Sequence, residues 1–237
     1  MATQDSGNGP TEYVIDIMMS GPTVAKMKEA GFALYGFKAV KTANGGAAPV
    51  VWFQTLAQVL MQTTTVSWTE QYQAYVSTSQ IIPNGVITAS SSVDIGLGET
   101  ADVDQYGNLT TDEQGTASAI SSNNEASAQW TSGTSQLTGN GTPSPMVALP
   151  LYGNMLEVIV PIEKVLLMFA SPTVNTGTVI YKSYSSGVLV DLTGAPGNPP
   201  TRTVIFDLND GWSWGDQGWG TPVQAQADLI PFLISNS

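Results

Sequence analysis

The strongest constraint in this chain is the stretch Val66 to Val76, where Val66, Trp68, Tyr72, Ala74 and Val76 fall on one face and Ser67, Thr69, Gln71 and Gln73 on the other. A period of two is the signature of a strand with one buried face. Glu70 interrupts the apolar face, so it is expected near a sheet edge or against a polar partner, because an unpaired buried carboxylate is costly.

The remaining apolar segments are also short, rich in β-branched and aromatic residues, and separated by Gly, Pro, Asn and Ser clusters. They predict an all-β fold, a β-sandwich of two antiparallel sheets with a jelly-roll or Ig-like arrangement. Strands are expected at Val14–Met18, Phe32–Val40 and Val50–Thr55, the last two joined as a hairpin through Asn44-Gly45-Gly46. Weakly amphipathic strands follow at Val86–Ser92, Val93–Leu97 and Ala117–Trp130. Stronger ones are expected at Met155–Val160, Lys164–Phe169, Thr178–Tyr184, Val188–Leu192 and Thr203–Leu208. One short N-terminal helix, Thr23–Ala30, follows Pro22 and ends at Gly31, a residue suited to the position after a helix.

Residues 1–12 read as a polar N-terminal tail and 13–237 as the sandwich domain, with a composition break at 141–146 (GTPSPM) where a sub-boundary would fall. No fixed-period repeat is present, which argues against propellers and solenoids. A tail such as MATQDSGNGP is mobile in an isolated monomer. If it is held, another copy must hold it, so self-association into a homo-oligomer or larger assembly is expected.

Composition narrows the chemistry. The 237 residues carry 19 acidic and 7 basic side chains, a net charge of −12, and neither histidine nor cysteine. Such a surface repels phosphate backbones, so nucleic acid is not an expected partner. Lys26, Lys28, Lys38 and Lys41 cluster early and no cation recurs until Lys164, which leaves a long acidic or neutral middle read as solvated surface. Without histidine or cysteine there is no Ser-His-Asp triad, thiol nucleophile or thiolate metal site. Carboxylate chemistry, lysine chemistry or no chemistry remains. Two acids about 5 to 10 Å apart can hydrolyse a glycoside, and Glu70, Asp207, Asp210 and Asp216 are the candidates. Glu163 and Lys164, as strand neighbours, should face opposite ways on ordinary sheet surface. The expectation is a protein that is not an enzyme and carries no cofactor.

Two constellations are candidate sites. Asp102 to Glu113 matches a calcium loop at Asp102, Asp104, Gly107 and Glu113, but Tyr106 stands where an oxygen donor is usual, and the flanks are not helical. A β-hairpin turning at Gln105–Asn108 explains the same residues. The second is Asp207 to Gly220, which holds three of the six tryptophans. Trp212, Trp214 and Trp219, with Asp210 and Asp216, suit a neutral ligand such as a glycan, whose apolar face stacks on an indole while its hydroxyls need oriented acceptors. The same rings could instead cap the sandwich, with glycines permitting close packing.

The primary expectation is a non-enzymatic, self-associating β-protein that recognises a glycan through this Trp-rich loop. The alternatives are a membrane-active, pore-forming protein whose Ser/Thr-rich segment Ser90–Thr138 refolds as a hairpin, and a purely structural subunit. In composition alone the chain resembles lectins and water-soluble cytolysins, which transfers no site. The polar N-terminus shows no secretory signal, and no apolar run approaches the ~20 residues of a spanning helix. The cytoplasm is therefore favoured over secretion, where Asn108 and Asn140 would become glycosylation acceptors.

Overall fold

The computed structural model describes residues 10–138, 143–171, 174–215 and 217–236. In chain order the first strands are β1 (Glu12–Met18), β2 (Ala33–Thr42), β3 (Ala48–Pro49), β4 (Phe53–Thr55) and β5 (Thr63–Ser77). The middle of the chain supplies β6 (Ser91–Ile95), β7 (Glu99–Val103), β8 (Leu109–Asp112), β9 (Ile120–Asn124) and β10 (Trp130–Thr138). Then come β11 (Pro143–Pro145), β12 (Val147–Leu151), β13 (Met155–Ala170), β14 (Gly187–Asp191) and β15 (Thr201–Asp207). The last are β16 (Gly211–Ser213), β17 (Gly220–Val223) and β18 (Ile234–Asn236).

One sheet has the order β16-β15-β1-β5-β10-β12-β3, with β6 beside β5 and β11 beside β10. The other runs β17-β14-β13-β9-β7-β8, with β2 also on β13 and both β4 and β18 on β2. The all-β sandwich with a short N-terminal helix is thus what the chain forms. Its sheets are mixed rather than uniformly antiparallel: β1–β15, β7–β9 and β2–β18 are parallel pairs. β10 and β12, on either side of the composition break, are hydrogen-bonded neighbours.

The helix α1 (Gly21–Glu29) follows from its termini. The Ser20 hydroxyl accepts from the Thr23 backbone N–H at 3.2 Å, Pro22 sits in the first turn, and Gly31 after the end adopts φ +70°. These are the residues helix starts and stops favour. Its Met27 is buried in the central core. A second helix, α2 (Ile230–Leu233), is a single turn near the C-terminus.

The central core lies between the sheets and is built from Ile15 and Ile17 of β1, Val66 and Trp68 of β5, Leu34 of β2, Val165 and Leu167 of β13, and Val204 of β15. β2 and β13 are also covered on their other face: Tyr35, Phe37, Leu166 and Met168 pack under Ile180, Leu229 and Leu233. Double coverage explains why these strands read as continuous apolar runs.

The structure departs from the expected strands in several places: Val86–Ser92 and Val93–Leu97 give one strand, β6, with Val86 in a single bridge, and Ala117–Trp130 gives β9 and the first residue of β10. Asn44–Gly46 does not close a tight hairpin, because the far half of β2 pairs with β13 and β18, and the chain crosses to β12 as β3 before returning to the start of β2 as β4. Asn44 is pinned to β13, its amide donating to Leu156 O at 3.0 Å and to Glu157 Oε2 at 2.8 Å. Met155–Val160 and Lys164–Phe169 are one strand, continuous through a bulge between Ile162 and Val165. A bulge admits unpaired residues without ending the ladder. Finally, Thr178–Tyr184 forms single bridges, from Thr178 to Val86, Val179 to Val50 and Lys182 to Asp228, and serves as a strap over sheet faces.

Two positions are especially tight. A Cβ on Gly36 would lie 1.9 Å from the Phe53 ring, and one on Gly133 would lie 2.1 Å from Val147 O. Gly36→Ala is expected to lower unfolding stability by about 1–3 kcal/mol, the cost of overpacking a filled core, as read by denaturant titration. Glu157 is buried, with only Oε2 partnered, and burial raises its carboxyl above the ordinary carboxylate range. A carboxyl raised in the folded state binds its proton more tightly there, so its contribution is present in acid and lost as pH rises through the folded value. Glu157→Gln should therefore be more stable than the parent at neutral pH, with the difference shrinking below the ordinary carboxylate range in thermal melts.

Candidate functional site

The Trp-rich segment runs from β16, at the edge of one sheet, to β17, at the edge of the other, so it closes one side of the sandwich. Trp212 is half-buried and stacks on Phe169 with centroids 5.3 Å apart and planes at 11°. It also tilts against Phe206 at 4.9 Å, and its indole N–H donates to Ser186 O at 3.2 Å. Trp214 donates to Gln217 O at 3.1 Å and packs so closely that a Cβ on Gly220 would lie 2.4 Å from its Nε1. Trp219 lies under the Arg202 guanidinium, 5.1 Å from the ring centroid. All three are half-buried against the central core. The glycines permit this packing, which is the arrangement expected of a cap.

Asp210 is exposed in the turn between β15 and β16, and Asp216 lies outside the described residues. Hydrogen bonds from the Asn209 backbone N–H and the Thr23 hydroxyl hold Asp207 below the usual carboxylate range. Glu70 follows Thr69, the β5 residue paired with Glu12, whereas Asp207 ends β15 beyond Ile205, the residue paired with Met18. The length of β1 separates them by about 20 Å, too far to share a glycosidic bond.

Asp102 to Glu113 forms the hairpin β7–β8, with Gly107 at φ +79°. Asp104 is occupied by its own turn, accepting from Tyr106 N at 2.8 Å, Asn108 N at 2.9 Å and Asn108 Nδ2 at 2.8 Å. The Asn108 side-chain bond is the first cause of its lowered pKa. Asp102 accepts from Asn123 across β9 and Glu113 is exposed, so the three proposed calcium ligands each have separate surroundings. Among the described residues no three acidic side chains gather into a metal-binding group.

The segment Ser90–Thr138 is divided between the sheets, with β6 and β10 in one and β7, β8 and β9 in the other. No helix among the described residues is long and apolar enough to cross a membrane.

Two features were not anticipated from sequence. The first is a cleft of about 650 Å³ where β5 ends and β10 begins. Gln80, Gln129, Trp130, Tyr181 and the hydroxyl residues Ser77–Ser79 and Thr131 line it, and none of its lining residues is ionised at neutral pH. Its wall is held by Thr131 Oγ1 donating to Ser79 O at 2.6 Å and Ser77 Oγ donating to Thr88 O at 2.6 Å. Trp130 is braced from behind by Gly107, where a Cβ would come within 2.9 Å of the ring. The only signal in the sequence is an aromatic ring amid amide and hydroxyl residues, Gln129-Trp130-Thr131-Ser132. A second cleft, about 550 Å³, holds Glu70, Asp94, Glu99 and Tyr72. There Asp94 accepts from Gln73 at 2.8 Å and Glu99 from the Gly96 backbone at 2.6 Å.

The second unanticipated feature is a charge inside the sandwich. Lys38 Nζ lies 2.8 Å from Glu163 Oε2, with the lysine side chain fully buried and the glutamate side chain 15% exposed. The ammonium stands 4.5 Å from the Trp68 ring centroid and 5.4 Å from that of Trp52. Burial lowers the Lys38 pKa, and Glu163 opposes that shift. Glu163 and Lys164 do face apart, Lys164 reaching Asp191 at 2.9 Å, but Glu163 belongs to the interior rather than to ordinary sheet surface. Tyr13 stacks on Trp68 at 5.7 Å and donates to Glu70 Oε1 at 3.4 Å, which supplies the polar partner expected for Glu70.

Trp212→Ala is expected to cost about 2–4 kcal/mol in stability, because it removes a half-buried ring from the Phe169–Phe206 stack, as measured by denaturant unfolding. No known protein family matches the chain, and neither does any curated protein or solved structure.

Proposed function

We propose that this protein is a non-enzymatic, self-associating β-sandwich that recognises a neutral, hydroxyl-rich ligand, a glycan, and that the cleft at Trp130 is where it does so. The observation that supports this reading is the lining of that cleft. In a chain of net charge −12, an opening of about 650 Å³ carries aromatic, amide and hydroxyl groups and no ionised side chain. A sugar offers an apolar face to Trp130 or Tyr181, and its hydroxyls can both donate to and accept from Gln80, Gln129 and Thr131. The Trp-rich segment remains a candidate second contact through the exposed parts of its rings.

Self-association is supported by a different surface. Leu56, Val59 and Met61 are 52–65% exposed around the short 3-10 turn Ala57–Val59, beside a cleft of about 570 Å³ lined by Phe53, Leu56, Val59 and Val66. Contiguous apolar surface of this kind marks interaction sites on soluble proteins.

Glycan-array binding followed by tryptophan fluorescence titration tests the reading. Trp130→Ala is expected to weaken binding of the best sugar about tenfold, the worth of one stacked ring, while Trp212→Ala reports on the alternative site. Affinity should change little between about pH 5 and 9, since the lining groups do not titrate in that interval. Absence of any response across the array overturns the glycan reading, and a monomer at all concentrations in light scattering overturns the self-association reading.

A further inference from the structure

Lys38 occupies a position that needs an explanation beyond the fold. It lies on the face of β2 that also presents Leu34 to the inter-sheet core, and its Nζ is enclosed by Trp52, Trp68 and Glu163. Removing an ammonium and a carboxylate from water is costly, and their attraction repays that cost only with favourable geometry and further hydrogen bonds. Three donor positions on the ammonium face one carboxylate oxygen and two indole rings.

We propose that Lys38 and Glu163 are a self-modification site at which the lysine amine and the glutamate carboxyl condense into an intramolecular amide. Transfer of one ammonium proton to the carboxylate gives a neutral amine and a neutral acid. The Nζ lone pair then attacks Cδ of Glu163. The Cδ–OH bond breaks, the hydroxyl leaves with an amine proton as water, and the products are one amide and one water. Neither an oxidant nor a cofactor is required.

Three observations support this step. The reacting groups are already in contact, with Nζ 2.8 Å from Oε2. They are carried by adjacent strands in fixed register, Lys38 opposite Val165 and Glu163 within the bulge just before it. Groups held in this way reach effective concentrations on the order of 10⁵–10⁸ M, which favours condensation over hydrolysis. Burial favours the uncharged amine that attacks, as it does for other desolvated lysine nucleophiles. Glu70, hydrogen-bonded to Tyr13, adds a second negative charge whose field reaches Lys38. The product exchanges a buried ion pair for one neutral amide and joins two strands whose linked residues are 125 positions apart.

Intact-mass measurement of the purified, denatured chain tests the proposal, with its N-terminal residue determined independently. The expected mass is one water below that of the sequence, and a proteolytic digest should yield a branched peptide joining the segments that contain Lys38 and Glu163. Lys38→Met and Glu163→Ala should each return the chain to its full sequence mass. A parent protein at full sequence mass overturns the proposal whatever the variants do. A water-deficient mass with Lys38 recovered in a linear, normally cleaved peptide also overturns it, because the loss then lies elsewhere.

Discussion

The antiparallel ladder between β2 and β13 is the constraint on which the rest of the structure depends. It runs from Ala33–Ala170 to Thr42–Ile159 and is interrupted only by the bulge. Its inner face supplies the central core and its outer face a second one, so both strands need cover on both sides. The other sheet covers one side. The strap through Ile180 and the C-terminal turn at Leu229–Leu233 cover the other. Because hydrophobic burial scales with apolar area removed from water, a layer added on each side makes these two strands the best-insulated part of the molecule.

That insulation makes the Lys38 charge costly and the bulge necessary. In an unbroken ladder, the residue facing Lys38 across the strands would be fixed by regular pairing. The bulge takes Glu163 and Lys164 out of the pairing with β2, and Lys164 stays paired with Asp191 on β14 while Glu163 turns toward Lys38. The aromatic rings of Trp52 and Trp68 then shield the Lys38 ammonium from water, and Trp52 is itself anchored by donating to Gln136 O.

How far sequence carries depends on whether a residue's role is local. Val66–Ala74 was legible because one face meets the central core and the other does not, and alternation follows from that; at Tyr75 the second face is buried as well. The helix was legible because Pro22 and Gly31 mark its two ends within a few positions of one another. β13 reads as two strands because Pro161 to Glu163 looks like a break, and the pairing that continues through it is contributed by distant β2. Lys38 reads as one member of an early lysine cluster, since nothing within ten residues of it announces Glu163. The tryptophans of 212–219 announce exposed rings, yet their partners Phe169 and Arg202 come from other strands. The cleft at Trp130 depends on Tyr181 and Gln80 arriving from two further segments, and so it is absent from any local pattern.

The pairing of β18 with β2 has a consequence for the order in which the chain can be completed. β2 receives a parallel neighbour, Ile234–Asn236, from almost two hundred positions downstream. As the chain emerges from a ribosome, the outer side of that early strand stays only partly covered until residues 229–236 have been synthesised. During this interval Tyr35, Phe37 and Met168 form a wet, oily surface without its lid. Vectorial folding thus delays closure of this face until the segment carrying Leu229, Leu233 and β18 has emerged, a timing demand created by contacts far apart in the chain.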